Sequence, residues 1–200
     1  MSAGLREELR AFKRERILEE VLALFWQRGF HGTTLDAVAE RLQVTKPFIY
    51  QFFRSKEELL VALYERGATQ LLERVGQSLQ GEGSPRERLR AFIHAFALQN
   101  IESQAISAVF IQEEKNLPEE SLRELRRIQR EFDATLTQLI VQGVEAGEFQ
   151  VPDPRLAALA IAGMVRWIHR WYRPDGRLSG PEIAEEFAAM ALRMLGAAPG

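Results

Sequence analysis

The segment from Thr33 to Leu60, TTLDAVAERLQVTKPFIYQFFRSKEELL, constrains the fold of this chain more than any other stretch. Four apolar residues recur there at helical spacing and predict a helix with one apolar face: Leu35, Val38, Ala39 and Leu42. Gln43-Val44-Thr45 predicts a turn, after which Thr45 can cap a second helix that tolerates Pro47 in its first turn. The segment therefore predicts two short helices joined by a tight turn.

The second of these helices has an unusual outer face. Ile49 and Phe53 recur at i, i+4 and predict its buried side. The other side carries hydrogen-bonding, cationic and aromatic residues instead of a run of Glu and Lys: Thr45, Lys46, Phe48, Tyr50, Gln51 and Phe52. This pattern is typical of a helix-turn-helix, whose second helix fits the major groove of DNA.

The flanking residues make the pattern specific. A cationic helix that ends near Phe25 and Gly29, followed by the segment above, resembles the DNA-binding domain of the TetR family of bacterial transcription regulators over residues 12–64. We expect DNA contacts at ten positions: Thr33, Thr34, Thr45, Lys46, Pro47, Phe48, Tyr50, Gln51, Phe52 and Lys56. Pro47-Phe48 departs from the family, which often has a small residue such as Gly followed by a variable one, and the bulky Phe48 suggests apolar contact with a thymine methyl.

Several of the polar residues have a second explanation. Thr33 can bind a backbone phosphate, because helix N-termini attract anions, or it can serve only as a helix cap. Lys56 is matched in the family by a phosphate-binding lysine, although it could also be a solvated surface charge. Cations near the start of the first helix are open to the same two interpretations: Lys13, Arg14 and Arg16.

Charge is distributed unevenly along the chain. The net charge of −2 argues against non-specific binding to nucleic acid. Residues 1–56, however, carry ten Lys and Arg against seven Asp and Glu, a net charge of +3, while the remainder carries −5. A mildly basic end on an acidic body fits a protein whose DNA contact is confined to that end.

Composition excludes several other classes of protein. The chain has no cysteine, which excludes a disulfide framework, a thiolate nucleophile and a Cys-ligated metal. The first residues, MSAGLREELRAFKRER, are charged and lack the apolar core of a signal peptide. No apolar run approaches the ~20 residues that span a bilayer. We expect a soluble, cytoplasmic protein with no membrane partner.

Helical periodicity continues to the end of the chain, without strand-like alternation. The clearest break is Gly81 to Pro85, and capping signals start further helices at Ser55, Ser84, Asp153 and Ser179. We predict an all-α protein of about nine helices. A three-helix helix-turn-helix domain would occupy residues 1–56, and a helical ligand-binding and dimerisation domain would occupy residues 57–200.

The last two predicted helices combine small residues with an apolar stripe. An intramolecular core explains this pattern as well as a dimer does. One short recognition helix reads too few base pairs, so helix-turn-helix proteins usually pair two of them ~34–36 Å apart. The TetR resemblance implies a four-helix dimer interface. We therefore expect a homodimer, with these residues in the interface: Leu159, Gly163, Phe187, Met190 and Met194.

The body of the chain is larger than dimerisation requires, and the TetR resemblance implies that it responds to a small-molecule effector. Aromatic and aliphatic residues could enclose an apolar pocket, although each could instead belong to a plain core: Phe92, Phe96, Phe110, Ile111, Leu136, Leu139, Trp167 and Trp171. We expect no cofactor and no metal.

The tail, with Gly147-Glu148-Phe149, Val151-Pro152-Asp153-Pro154 and the run WIHRWYRPDG from Trp167, resembles a TetR branch that controls fatty-acid, sterol or aromatic-acid degradation. That resemblance implies an acyl-CoA as the effector. Cations near the pocket mouth could bind its phosphates or could simply complement the helix dipole: Arg166, Arg170 and Arg173. The function predicted from sequence is a repressor that binds a palindromic operator and controls fatty-acid or related catabolic genes.

Three alternatives were weighed against this function. An enzyme is disfavoured because the chain has no catalytic motif and its histidines are scattered at His31, His94 and His169. A helical dimer that binds only proteins leaves the outer face of the Thr45–Phe52 helix unexplained. A multidrug or efflux-type TetR repressor, with a wide aromatic pocket and a buried Glu, is not separated from the acyl-CoA-responsive type by sequence.

Overall fold

The computed structural model describes residues 3–79 and 83–197. Regular secondary structure in these ranges is entirely helical, which confirms the all-α class. The helices are α1 (Ala3–Arg28), α2 (Leu35–Arg41), α3 (Lys46–Tyr50), α4 (Lys56–Leu79), α5 (Pro85–Glu102), α6 (Gln104–Glu113), α7 (Glu119–Glu145), α8 (Pro154–Arg166), α9 (Ile168–Trp171) and α10 (Gly180–Met194). In the ranges given, none of them is long and apolar enough to cross a membrane.

The predicted helix starts follow from local side-chain capping. The hydroxyl of Ser84 accepts a hydrogen bond from the N–H of Glu87 at 3.3 Å, and the Glu87 carboxylate accepts the Ser84 N–H at 2.9 Å. Ser179 and Glu182 form the same reciprocal pair at the start of α10. Of the predicted break at residues 81–85, residues 81 and 82 lie outside the described residues. Within the described residues, the shortest of the ten α-helices is α9, which directly follows Trp167, and a 3-10 helix occupies Glu114–Asn116.

Residue contacts divide the chain into two compact units. The first unit contains Met1–Gly67 and Ala105–Leu122, and the second contains Ala68–Gln104 and Arg123–Gly200. The division falls within α4 and near the starts of α6 and α7. The domain boundary expected at residue 56 coincides with the start of α4, and it stays a prediction.

The first unit is organised around α1. One face of α1 is buried, as its apolar spacing predicts, through Ile17, Leu18, Val21, Leu24 and Phe25. Helix α2 packs against α1 and α3, and their buried contributions include Val38 and Ile49. Removing such side chains from water contributes roughly 25 cal/mol per Å² of apolar surface. This core fixes the orientation of the two short helices.

The second unit has an aromatic core. The ring of Phe132 lies 5.2 Å from that of Phe92 and 4.5 Å from that of Phe96, measured between centroids. Leu136 and Leu139 are buried in the same cluster. Helix α5 packs against α10 and α8. Interiors packed in this way leave few voids, so these side chains fill space with one another.

Candidate functional site

Helices α2 and α3 form a helix-turn-helix. The hydroxyl of Thr34 caps α2 by accepting the N–H of Ala37 at 3.1 Å. Gln43 has a φ of +55°, a left-handed conformation that lets the chain turn between the helices. Thr45 stands at the N-cap of α3, but its side chain makes no capping hydrogen bond. The capping bond predicted for Thr45 is therefore wrong, and its exposed hydroxyl is available to a ligand.

The outer face of α3 is polar and accessible. Ile49 and Phe53 are buried, as their spacing predicts. Five of the predicted DNA contacts are exposed, namely Thr45, Lys46, Pro47, Tyr50 and Gln51. Phe48 and Phe52 are half-buried, and their rings lie 5.3 Å apart at an angle of 54°. This face offers hydrogen-bonding groups beside an aromatic pair, which suits the edges of base pairs.

The cation of the recognition helix is already paired. The ammonium nitrogen of Lys46 lies 2.7 Å from a carboxylate oxygen of Asp36 on α2. The hydrogen bond that Lys46 donates to the Asp36 carboxylate raises the pKa of Lys46 above its ordinary value. Its charge is nevertheless offset locally, because the partner is a carboxylate. The DNA contact expected of Lys46 stays a prediction, and it would compete with the ion pair to Asp36.

Thr33 and Thr34 differ in their surroundings. Thr33 is only 1% exposed, and its hydroxyl donates a hydrogen bond to the carbonyl of Gly29 at 2.9 Å. Thr34 is exposed at the N-terminus of α2. The contact with Gly29 explains Thr33 through local structure, while the phosphate contact proposed for it stays a prediction. Thr34 and the first N–H groups of α2 are the accessible groups at this end.

Lys56 is also engaged within the first unit. Its ammonium group donates a hydrogen bond to the carbonyl of Phe30 at 3.1 Å and lies 4.3 Å from the centre of the Phe30 ring. The side chain is half-buried rather than free in solvent. The predicted phosphate contact would therefore use the remaining donors of an ammonium group whose position is fixed.

The residues predicted to enclose a pocket lie in several different surroundings. Phe92, Phe96, Leu136 and Leu139 are buried in the hydrophobic core of the second unit, where the Phe132 ring packs against Phe92 and Phe96. Phe110 belongs to the first unit, where its ring lies 4.5 Å from that of Tyr64, and Ile111 is exposed. Trp167 and Arg170 are exposed as well. The pocket expected from these ten residues stays a prediction.

The structure instead places a groove of about 570 Å³ in the second unit. Its walls come from Trp171 in α9, the connection to α10, and α10 itself. The Trp171 and Phe187 rings stack at 6.0 Å and 27°. The remaining lining residues are Tyr172, Arg173, Gly176, Arg177, Leu178, Ile183, Glu186 and Met190. Apolar walls with a few charged groups at this volume are typical of small-molecule sites.

The arginines predicted to bind effector phosphates have separate roles. Arg166 forms an ion pair with Asp133 at 2.7 Å, and its guanidinium lies 5.5 Å from the centre of the Phe132 ring. Arg170 is exposed and does not line the groove. Arg173 lines the groove together with Arg177. Arg177 is not predictable from sequence periodicity, because it lies in the turn that brings the chain back towards Trp171.

Residues predicted for the dimer interface differ in accessibility. Leu159 is 46% exposed on α8, and Met194 is 47% exposed on α10. Gly163 is exposed, with no atom within 4 Å of where a Cβ would stand. Met190 is half-buried and Phe187 is buried. Large exposed apolar side chains on adjacent last helices are a feature of association surfaces.

A helix-turn-helix of this geometry defines a DNA-binding protein, and comparison with known families identifies which kind. Residues 17–63 match the family described as bacterial regulatory proteins, tetR family. Residues 82–195 match the family described as tetracyclin repressor-like, C-terminal domain. The chain belongs to the TetR family, which confirms the resemblance seen in the sequence.

Individual relatives extend over most of the chain. The HTH-type transcriptional repressor KstR2 of Mycolicibacterium smegmatis is 26% identical over 190 residues, covering 91% of this chain and 90% of the relative. The fatty acid metabolism regulator protein of Bacillus subtilis is 24% identical over 153 residues, covering 75% and 78%. The crystal structure of AibR in complex with isovaleryl coenzyme A and operator DNA aligns with a TM-score of 0.78 and 29% identity, covering 88% of this chain and 96% of AibR.

Proposed function

We propose that this TetR-family regulator is a repressor that binds a palindromic operator as a homodimer and is released by an acyl-CoA. It would control genes of fatty-acid or related catabolism. The observation that carries the DNA-binding part is the exposed outer face of α3, where Thr45, Tyr50 and Gln51 present hydrogen-bonding groups at the end of a rigid scaffold. Because the partner is genomic DNA, we place the protein in the cytoplasm.

A dimer is required by the size of the reading element. Helix α3 has five residues and can contact only a few base pairs. Two copies related by a two-fold axis double the contacts and explain a palindromic site. The exposed apolar side chains of Leu159 and Met194 support α8 and α10 as the interface, since pairing would remove both from water.

The groove beside Trp171 supports an acyl-CoA as the effector. Its stacked Trp171 and Phe187 rings offer an apolar wall for an acyl chain, and Arg173 and Arg177 offer cations for phosphate groups. Two relatives support the same class of ligand, since AibR was crystallised with isovaleryl coenzyme A and the Bacillus relative is named for fatty acid metabolism. Phe187 and Met190 line this groove and also belong to the proposed dimer interface.

The alternative effector, an efflux-type drug, has weaker support. We expected such a pocket to contain a buried glutamate. The carboxylate-bearing residue of the groove is Glu186, which is exposed. An exposed carboxylate remains hydrated in the free protein. It therefore gives a cationic drug only a small advantage in binding free energy.

Release would follow from linkage between the two ligands. An acyl-CoA lowers operator affinity only by the factor by which it binds more tightly to the DNA-free conformation. A hundredfold release therefore requires hundredfold weaker binding of the acyl-CoA to the operator-bound protein, about 2.7 kcal/mol of coupling. The factor by which the acyl-CoA weakens operator binding must equal the factor by which the operator weakens acyl-CoA binding.

The test begins by selecting operator DNA from a random pool with the purified protein. The selected DNA is then titrated with and without isovaleryl-CoA and a long-chain acyl-CoA, with free CoA and the free acids as controls. We expect a palindromic site and release by a thioester alone. Failure to select any DNA would overturn the repressor proposal, whereas binding that no thioester relieves would remove only the effector.

Two tryptophan variants locate the effector site. Trp171→Ala should abolish release by the thioester while leaving operator affinity unchanged, because Trp171 forms the groove wall. Trp167→Ala is the matched control, since Trp167 is exposed nearby in sequence but does not line the groove. Equal loss of release in both variants would argue against the groove.

A further inference from the structure

The recognition helix brings little uncompensated positive charge to DNA. Its lysine, Lys46, forms an ion pair with Asp36. Lys56, at the start of α4, donates a hydrogen bond to the Phe30 carbonyl. Phosphate contacts nevertheless supply most of the affinity of proteins for DNA. The cations that make these contacts should therefore be sought on a neighbouring element.

Helix α1 places two cations against the aromatic pair beside α3. The ammonium nitrogen of Lys13 lies 5.7 Å from the centre of the Phe48 ring, and the guanidinium carbon of Arg10 lies 5.9 Å from the centre of the Phe52 ring. Because the two rings are themselves 5.3 Å apart, the four side chains form one continuous row across α1 and the end of α3. Lys13 and Arg10 are both exposed.

The other cations at this end of α1 have structural partners. Arg14 covers the ring of the buried Phe53 at 5.2 Å, and Arg16 forms ion pairs with Glu19 and Glu20. Among the described residues, neither Arg10 nor Lys13 has an acidic partner. All four cations are exposed, but Arg10 and Lys13 are the two that lie over the aromatic pair of Phe48 and Phe52, beside the outer face of α3.

We propose that Arg10 and Lys13 bind phosphates of the operator beside the base pairs that α3 reads. This inference rests on the proposed function and adds a second DNA-binding element, the N-terminal part of α1. An aromatic ring attracts a cation through its face without consuming the N–H donors, which remain available to phosphate oxygens. Phe48 and Phe52 then act as positioning residues for these cations.

The contacts with the rings restrict the two cationic side chains before DNA binds, which lowers the entropy cost of binding. Lysine and arginine side chains lose rotamer freedom when they contact a phosphate, and that loss opposes binding. Stacking against Phe48 and Phe52 restricts the side chains in the free protein, so less freedom remains to be lost.

Salt dependence of operator binding tests the inference. Each phosphate contact contributes about 0.9 to the slope of log affinity against log salt, so one contact from each protomer contributes about two. Arg10→Gln and Lys13→Gln should each flatten the slope by that amount. Between 50 and 200 mM salt, the affinity of each variant should then fall roughly tenfold less than that of the wild type.

Glutamine suits these positions because its helix propensity is close to that of Lys and Arg. Arg130→Gln is the matched control, because Arg130 is an exposed arginine of α7 in the second unit and loses the same charge. Its slope should equal that of the wild type. Thermal melting followed by circular dichroism checks that all three variants fold.

Interference mapping gives a second readout that net charge alone would not change. Ethylation of operator phosphates should cease to interfere at one position per half-site in each α1 variant, while methylation interference at the bases read by α3 is retained. Unchanged slopes and ethylation patterns in folded variants would overturn the inference and leave the repressor proposal standing. Absence of DNA binding by the wild type would overturn both.

Discussion

The carboxylate of Glu113 accepts a hydrogen bond from the backbone N–H of Phe30 at 3.2 Å, across 83 residues of sequence. Its other oxygen accepts the side-chain amide of Asn116 at 2.8 Å, and Glu113 is only 9% exposed. The carbonyl of Phe30 in turn accepts the ammonium group of Lys56. Phe30, two residues beyond the end of α1, is therefore hydrogen-bonded to both the end of α6 and the start of α4, within the first unit.

We predict that Glu113→Ala destabilises the first unit. The substitution leaves the Phe30 N–H and the Asn116 amide without an acceptor in a buried place, which costs about 1–3 kcal/mol. Urea denaturation followed by circular dichroism measures the free energy of unfolding. Glu114→Ala is the control, because Glu114 is exposed on the next residue and should change stability by no more than about 0.5 kcal/mol. Equal losses in the two variants would contradict the role of the Glu113 contact.

The contact between Glu113 and Phe30 illustrates what the sequence could not provide. Helix starts at Ser84 and Ser179 were predictable because capping depends on residues three positions apart. The pairing of Glu113 with Phe30 depends on the fold, and no local pattern encodes it. The family resemblance predicted more than local patterns could, because it implied the helix-turn-helix together with the DNA contacts expected of it.

The candidate ligand site also depends on tertiary contacts that the spacing of apolar residues does not predict. The apolar spacing of Phe92 and Phe96 correctly predicted that they face inward, but the same spacing serves a closed core and a cavity equally well. The contact between the rings of Phe132 and Phe96, 4.5 Å apart, depends on how the helices pack and not on that spacing. The groove depends instead on how the chain returns from Trp171 to Phe187, a tertiary feature that periodicity does not register.

Lys56→Met should separate a phosphate contact from a structural contact. Methionine retains an unbranched apolar chain but cannot donate to the Phe30 carbonyl or to DNA. If Lys56 binds phosphate, as we predict, the salt slope of operator binding flattens by about two per dimer. A purely structural lysine would instead lower the free energy of unfolding and leave the slope unchanged. Both quantities are measured on the same protein preparation.

Leu159→Asp should dissociate the proposed dimer while each chain remains folded. Leu159 is already 46% exposed within one chain, so an aspartate there costs little until two α8 helices meet. At the interface the carboxylate would be desolvated without a partner, which is strongly unfavourable. Sedimentation velocity should show monomers. Leu72→Asp, at a similarly exposed leucine of α4, is the control and should leave the sedimentation coefficient unchanged.

The start of α10 should contribute stability that depends on pH. Hydrogen bonds from the Ser179 hydroxyl and N–H hold the pKa of Glu182 below its ordinary value. A carboxylate with a lowered pKa stabilises the fold above its unfolded-state pKa, and this contribution is lost as pH falls through the folded-state value. Thermal melting from pH 7 towards pH 3 should therefore show a smaller acid-induced decrease in Glu182→Gln than in the wild type. Parallel curves would contradict this assignment.

Gly143 and Gly76 should respond oppositely to alanine, although both lie within helices. A Cβ on Gly143 would stand 2.1 Å from the buried ring of Phe149, whose backbone is held over α7 because its N–H donates to the Gly143 carbonyl at 3.1 Å. The ring has no free space to move into, so we expect Gly143→Ala to lose about 1–3 kcal/mol or more by overpacking. Gly76 has no atom within 4 Å of its Cβ position, so Gly76→Ala should gain about 0.5–1 kcal/mol from helix propensity. Urea unfolding of the two variants beside the wild type measures both changes. A stable Gly143→Ala protein would mean that Phe149 does not pack over this turn of α7.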